Sequence, residues 1–464
     1  MSAGAGGRVP RGGAFAPAPL AALLLLLPLL MLGAACGREP GPRPHVALIT
    51  VDTLRADHLE SYGSTSTRTP NASRLAAEGT LFDNATAPVP LTRPSHSTLF
   101  TSRHPRLHGV TDNHLALPES ELTVAEVFRE AGYRTGGFVG AHVIGRPSGA
   151  TQGLDHLETP EAGKRPSAAR VVERAVAWLR TLPRDEPFFL WVHVFDPHLP
   201  YAPPEYYLPA PPPAGPALGE VTWRRLRRLA RRGGGALDTG VLERARELYA
   251  AEVDSVDAAL GLLLLELDER ALADRTLVVL TADHGECFEN GYYFRHDGCL
   301  YDGAVKVPLV FRYPGRVAAG ARRAAQVRHE DVAPTLLTLA GLPVPERFEG
   351  RPLFRRDGAP EALDEHRVAL VQRVCRPSGP RAPGRRSGTA SRPWPGSRCA
   401  RAPSSASPSG AAGGSTSPPA AGPRSSTTWP PTRGRPGTWR PRPTPGRWSC
   451  GSARSCAGAS RSCP

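Results

Sequence analysis

The stretch Val278-Val279-Leu280-Thr281-Ala282-Asp283-His284-Gly285-Glu286 decides how this chain is read. Its first five residues are apolar or β-branched without alternation, the pattern of a strand covered on both faces. It then delivers a carboxylate and an imidazole in succession, where open α/β sheets place their ligand crevice. Outward from it, apolar β-rich runs cover His45–Val51, Thr135–Val139, Pro187–Val194, Arg275–Thr281 and Val307–Tyr313. Apolar residues recur at helical spacing over Leu122–Ala131, Ala168–Leu182, Val241–Leu267 and Asp331–Leu339. Strands alternating with helices predict βαβ units, hence an α/β fold with a mainly parallel central sheet and helices on both faces.

Three further features fall at predicted strand ends. Ile49-Thr50-Val51-Asp52 closes the first strand on a carboxylate that rigid backbone can hold for a hard divalent cation. A strand-end Asp taken alone serves more often as a cap. Pro90-Leu91-Thr92-Arg93-Pro94-Ser95-His96 leads into the helix-like Ser97–Thr101, with Pro94 suited to a first helical turn and Thr92 near the positive helix end. A lone Thr in a Pro-containing turn is ordinarily structural. Histidines complete the set: His193 and His198 around Asp196-Pro197, and His296 before Asp297-Gly298. Histidine binds anions or protonates leaving groups near neutral pH. His193 sits inside an apolar strand and reads as a core residue, whereas His198 and His296 precede turns. Asp283 and His284 form a pair of metal donors, and Gly285 permits close backbone approach.

Both ends of the chain differ from this middle. Arg8 and Arg11, an apolar run from about Leu20 to Leu32, and Gly33-Ala34-Ala35-Cys36 read as a signal peptide over residues 1–36. Small residues before Cys36 resemble a bacterial lipoprotein cleavage site, so a lipid anchor at Cys36 is expected beside ordinary cleavage near Ala35. Residues 37–44 form a Pro-rich linker. The protein is accordingly expected to be exported, as a periplasmic or cell-envelope lipoprotein if bacterial and secreted otherwise. Residues 376–464 hold no Asp, Glu, Lys, Leu, Ile, Phe, Tyr, Asn or His, a composition that cannot bury a core. This tail carries 15 of the 57 basic residues, leaving 42 against 43 acidic groups in the remainder. The high pI therefore belongs to the tail, and no nucleic-acid partner is expected. With only Lys164 and Lys306 beside 55 arginines, the gene reads as GC-rich, and a frame shift near Val374 would produce this mixture. The Pro- then Arg-rich stretch from Pro203 to Gly235 reads as a surface lid or insertion. Cys287 and Cys299 are left unpaired.

Read in order, the motifs V-D-T-L-R-A-D-H-L, T-P-N-A-S-R-L-A-A-E-G, P-L-T-R-P-S-H-S-T-L-F-T-S, H-P-R-L-H-G-V, D-P-H-L-P-Y-A-P-P, T-A-D-H-G-E, L-Y-D-G-A-V-K-V-P-L-V-F and H-E-D-V-A-P-T-L-L-T-L-A-G-L-P run from His45 to about Leu353. In these the chain resembles the sulfatase family of the alkaline phosphatase superfamily. The resemblance implies an alkaline-phosphatase-like sandwich over residues 45–353, followed by a C-terminal subdomain that begins at 354–375 and is left incomplete by the tail. It implies one divalent metal ion, Ca, Mn or Mg, bound by Asp52, Asp283 and His284 together with Thr92 as nucleophile. His198 and His296 would contact the transferring group or the leaving oxygen. His96, where sulfatases usually carry Arg, joins them as a catalytic candidate, while Arg55 and Lys306 read as structural. A small-molecule, glycan or lipid ester is the implied substrate.

The departures from the family pattern shape the expected chemistry. Sulfatases place at position 92 a Cys or Ser that is oxidised to formylglycine; Thr92 is no substrate for that oxidation, so no formylglycine is expected. The covalent ester must then be cleaved by water or an acceptor, as in the Thr-dependent nucleotide pyrophosphatases and phosphoglycerol transferases that this site resembles. Thr53 stands where many sulfatases have a second metal-binding Asp, and Gly140-Ala141-His142 lacks the Lys and His that usually contact sulfate. The spacing of Asp196 and His198 does not suit a second metal. The expectation is a metal-dependent hydrolase using Thr92, with phosphorus esters preferred to sulfate. A phosphoglycerol-type transferase and an inactive binding protein lacking its C-terminal region are the alternatives.

Overall fold

The computed structural model describes residues 43–208, 239–289, 292–294, 296–364 and 367–372, together with Gly4 and Gly7. The predicted leader with Cys36, most of the arginine-rich insertion and the 376–464 tail lie outside the described residues. Nine strands are described: β1 (His45–Val51), β2 (Thr80–Thr86), β3 (Arg134–Val139), β4 (His156–Glu158), β5 (Phe188–Val194), β6 (Thr276–Ala282), β7 (Lys306–Val307), β8 (Leu309–Arg312) and β9 (Ala321–Arg328). They form one sheet in the order β4-β3-β5-β1-β6-β8-β2-β7, with β9 paired to β2. From β4 to β6 every neighbouring pair is parallel, as expected; β8 then runs antiparallel to both β6 and β2.

The sheet departs from the sequence reading in ways that have local causes. The single strand expected over Val307–Tyr313 is split by Pro308, which has no N–H for a ladder. Strands β2 and β9 went unread because Asp83-Asn84 interrupts the first and Arg322, Arg323 and Gln326 dominate the second. Their polar residues suit the margin of a sheet.

The longer helices among the described residues flank the sheet: α1 (Pro70–Glu78), α2 (Thr92–Thr101), α3 (Val124–Glu130), α4 (Ala168–Thr181), α5 (Thr239–Glu269) and α6 (Val332–Leu339). The start of α3 is fixed by a capping box between Thr123 and Glu126. Helices α1, α4 and α5 pack together on one face, and α2, α3 and α6 on the other. Alternation along β5 serves both layers. Val192 and Val194 lie with Val172 of α4 and Val253 and Val256 of α5 around one apolar space. On the opposite face Trp191 meets Phe100 of α2 edge-on at 4.8 Å, and Phe189 stacks on Phe128 of α3 at 4.8 Å. Beyond Leu353, Phe354 bridges to Pro360 and packs against Phe82 and Phe311.

The Phe100–Trp191 contact holds α2 down on the sheet. Trp191→Ala is expected to destabilise the fold by about 3–5 kcal/mol, the usual cost of emptying a large aromatic site. Urea unfolding followed by circular dichroism measures it, and a loss below about 1 kcal/mol would remove this contact from the account of how α2 is held.

Candidate active site

Strand register builds the site. Because β1, β5 and β6 are parallel and aligned, Val51, Val194 and Ala282 lie at one level. The next residues along β1 and β6 are Asp52 and Asp283, so two carboxylates emerge side by side at the carboxyl edge of the sheet. His284 follows. One donor atom from each of Asp52, Asp283 and His284 lies within 4.8 Å of the other two, and all three residues are completely buried.

The unshared atoms of this trio are the test of whether a cation fits. Asp52 Oδ1, Asp283 Oδ2 and His284 Nε2 have no hydrogen-bond partner among the described residues. The remaining atoms are engaged: Asp283 Oδ1 accepts from the Thr53 and His284 amides at 3.2 and 2.8 Å, and His284 Nδ1–H donates to the Gly285 carbonyl at 3.0 Å. That bond fixes the tautomer and leaves the Nε2 lone pair facing the carboxylates. Burial raises the pKa of Asp52, and burial followed by repulsion from Asp52 raises that of Asp283. Two oxygen donors and one imidazole, each with an unsatisfied lone pair, fit a divalent ion.

Local backbone supports the arrangement. Thr53 adopts φ 57°, a left-handed conformation that strains a β-branched residue. Its amide thereby reaches Asp283, while its carbonyl accepts from the Tyr249 hydroxyl at 2.8 Å. At Gly285 an added Cβ would fall 2.1 Å from the Gly303 carbonyl, so the close approach expected from sequence is present.

Thr92 opens α2, only 3% exposed, and its hydroxyl donates to Asp52 Oδ2 at 3.3 Å. The amino-terminal end of α2 adds positive potential beside it. Arg93 is turned away, bound to the Val143 and Leu115 carbonyls.

His96, the other catalytic candidate, lies on the buried side of α2. One helical turn after Thr92, it points into the protein and is completely buried. Its Nδ1–H donates to the Thr92 carbonyl at 2.8 Å, and its Nε2 meets Thr50 Oγ1 at 3.1 Å. Burial holds its pKa down at about 3, with His193 adding to the effect. Both nitrogens are spent, so His96 positions the Thr92 turn from below. Arg55 is structural, as expected, bound to Asp57, Glu289 and the Glu286 carbonyl.

His198 and His296 line the rim. Their ring centroids are 5.3 Å apart, and His296 lies 4.3 Å from the His284 ring. His198 donates from Nδ1 to the Leu199 carbonyl at 2.6 Å and stacks on Phe195, over which Arg165 sits at 4.7 Å. Burial lowers the His198 pKa, against the opposing pull of Asp52. Behind His296 stands Glu286, unnoticed in the sequence reading although it closes the T-A-D-H-G-E motif. Its Oε1 is 3.7 Å from His296 Nδ1, and burial pushes its pKa up to about 8. Cys287 and Cys299, left unpaired in the sequence reading, form a disulfide with Cα atoms 6.5 Å apart. It closes the segment that carries His296.

This geometry agrees with relationships detected by comparison. A family model described as Sulfatase matches residues 44–342. The chain belongs to the sulfatase family. It is 29% identical over 370 residues to an ulvan-active sulfatase of Formosa agariphila, covering 72% of this chain and 68% of that protein. It is 26% identical over 427 residues to an N-acetylglucosamine-6-O-sulfatase of Bacteroides thetaiotaomicron, covering 72% and 75%. The solved phosphonate monoester hydrolase of Agrobacterium radiobacter superimposes with a TM-score of 0.55 at 25% identity, covering 67% of this chain and 76% of that one. This sulfatase is thus a hydrolase of the sulfuric ester class, with the fold of that superfamily and a metal-binding group where this metal-dependent family needs one.

Two outcomes follow from the geometry. Mn²⁺ at a hundred times its Kd is expected to stabilise the sulfatase by about 2.7 kcal/mol, and Asp283→Asn to remove that increment. Differential scanning calorimetry with and without the ion reads it; an equal increment in the variant would contradict the assignment of the trio. Reduction of Cys287–Cys299 is expected to cost about 3 kcal/mol, the scale for a short closed loop. A melting temperature unmoved by reductant, with both thiols titrated as free, would show that this bond does not stabilise the rim.

Proposed function

We propose that this sulfatase is an exported, metal-dependent hydrolase of phosphorus or sulfate esters on glycan or lipid substrates, with Thr92 as nucleophile and phosphorus preferred. One observation carries the reading: an unmodified threonine hydroxyl, at a helix N-terminus, bonded to Asp52 beside the Asp52–Asp283–His284 group. Asp52, Asp283 and His284 would hold a divalent ion, which would lower the pKa of the Thr92 hydroxyl and offset charge on the transferring group; the Thr92 proton is released to solvent.

The chain's own residues account for the rest. Thr92 Oγ1 attacks phosphorus or sulfur while the bond to the leaving oxygen breaks, giving a Thr92 ester. His296, backed by Glu286, delivers a proton to the departing oxygen. His198 is neutral, with Nδ1–H committed to Leu199, so Nε2 is left to take a proton from the attacking water. That water displaces Thr92 as its oxyanion, and the proton now on His198 replaces the one lost from His296 across the adjoining rings. Methyl-bearing Thr92 cannot form the geminal diol through which sulfate would be expelled, and this favours phosphorus. The phosphonate monoester hydrolase likeness supports the same choice. A sulfate ester is the second reading, supported by the ulvan-active and N-acetylglucosamine-6-O-sulfatase relatives, whose names also support a glycan. The catalytic unit is taken as residues 45–353, and the apolar run at Leu20–Leu32 supports export.

Thr92→Ala is expected to lower kcat/KM on p-nitrophenyl phosphate or bis-p-nitrophenyl phosphate by at least about a thousandfold, the scale for loss of a nucleophile. Thr92→Ser should stay within about tenfold of the parent, since it keeps the hydroxyl. Undiminished turnover in Thr92→Ala would exclude the nucleophile, and higher kcat/KM on p-nitrophenyl sulfate would reverse the order of preference.

A further inference from the structure

The hydroxyls along α2 do not all behave alike. Thr98 and Thr101 return their hydrogens to carbonyls of their own helix, Pro94 at 3.2 Å and Ser97 at 2.6 Å, as hydroxyls inside helices commonly do. Ser95, three residues after Thr92 and completely buried, sends its hydrogen out of the helix to the Asp283 carbonyl at 2.6 Å. That carbonyl belongs to the peptide unit joining two of the metal donors. Strand β6 has ended at Ala282, so this unit lies past the strand. Its N–H, from His284, is held by Asp283 Oδ1 at 2.8 Å. With Ser95 on the carbonyl, both polar ends of the unit are bound and its plane is fixed, and the side chains of Asp283 and His284 hang from either side of it.

Counting hydrogens extends the chain by one residue. A carbonyl only accepts, so the single hydrogen of Ser95 is spent on Asp283. His329 Nδ1, 2.9 Å from Ser95 Oγ, must then carry a hydrogen and donate it. Burial, with His96 and His284 adding to it, holds the His329 pKa down at about 3, so the ring is neutral. Its Nε2 is bare and has no hydrogen-bond partner among the described residues. The result is a directed chain, His329 Nδ1–H to Ser95 Oγ–H to Asp283 O, whose three residues are completely buried. It runs from the turn His329–Asp331 that precedes α6, through the helix that begins with Thr92, to the end of the strand that delivers Asp283. The next residue of α2, His96, ties the same turn to Thr50 on β1. Helix α2 is thus fastened at two consecutive positions to the two strands that lead into the carboxylates.

We propose that Ser95 and His329 are positioning residues of this enzyme: His329 orients the Ser95 hydroxyl, and Ser95 fixes how Thr92 stands relative to the Asp283 and His284 donors. The proposal rests on the reading of Thr92 as nucleophile and of the trio as a metal centre. Both residues are buried away from any substrate, so they act on the reaction through Thr92 and the trio. Misplacing an attacking atom by about 1 Å can cost about a hundredfold in rate.

The full chain carries the test, with kcat, KM and the Mn²⁺ Kd measured on p-nitrophenyl phosphate or sulfate, whichever the wild type turns over faster. Ser95→Ala is expected to weaken Mn²⁺ binding by about tenfold. At saturating Mn²⁺ its kcat should still fall by about 10–100-fold, with KM changed by less than about threefold. His329→Leu should do the same. His329→Asn, whose amide N–H takes the place of Nδ1–H, should stay within about threefold of the wild type in all three constants. A folded Ser95→Ala with kcat and Kd unchanged overturns the proposal, as does His329→Asn no better than His329→Leu. Wild-type protein that binds no Mn²⁺, or that keeps its rate in Thr92→Ala, overturns it together with the reading beneath. Where the buried substitutions fail to fold, ¹⁵N-histidine NMR of the wild type decides: a hydrogen on Nδ1 of His329 supports the chain, and one on Nε2 overturns it.

Discussion

Two carboxylates brought side by side in a dry place are the constraint on which the rest of this structure depends. The aligned register of β1 and β6 leaves Asp52 and Asp283 no choice of neighbour. Among the described residues no arginine or lysine pairs with either acid: Arg55 is committed to Asp57 and Glu289, and Arg93 to backbone carbonyls. Strand, helix and loop are arranged around the need for positive charge between the two acids. The left-handed Thr53, the close Gly285–Gly303 approach and the tautomer set by the Gly285 carbonyl all serve to aim lone pairs at one point.

Around that point the side chains divide by depth. Below it lies a dry polar network of Thr50, His96, His193 and Trp191, each satisfied through one shared hydroxyl apart from the His193 nitrogen nearest the acids. Above it the rim is built of rings in contact, Phe195 stacked on His198, His198 edge-on to His296, and His296 tilted against His284. The floor is thus held by hydrogen bonds that converge on one shared hydroxyl, and the rim by contacts between rings.

Much of this was legible in the sequence because strand ends carry their own signals. Asp52, Asp283 and His284 could be read from apolar runs that stop at chemically active residues, and Thr92 from its turn ahead of a helix. His96 was read from its place in the motif, and its bonds to the Thr92 carbonyl and Thr50 depend on which side of the helix it occupies, which its flanking sequence does not show. His193 was assigned to the core by its apolar strand, and it is in the core. Which neighbour its nitrogen faces depends on pairing between residues 143 positions apart, which no local pattern records. The Cys287–Cys299 pairing and the Glu286–His296 approach were hidden for the same reason. Strands β2 and β9 escaped through polarity, and Pro308 divided a run that looked continuous.

The Cys287–Cys299 bond makes one part of this enzyme answer to redox conditions that the rest does not. The sheet and the carboxylate pair are held by burial and backbone bonds that need no oxidant. The rim segment between the two cysteines is closed by a covalent link that persists where surroundings are oxidising. Closure of the rim thus depends on the redox state of the surroundings, and the scaffold beneath it does not.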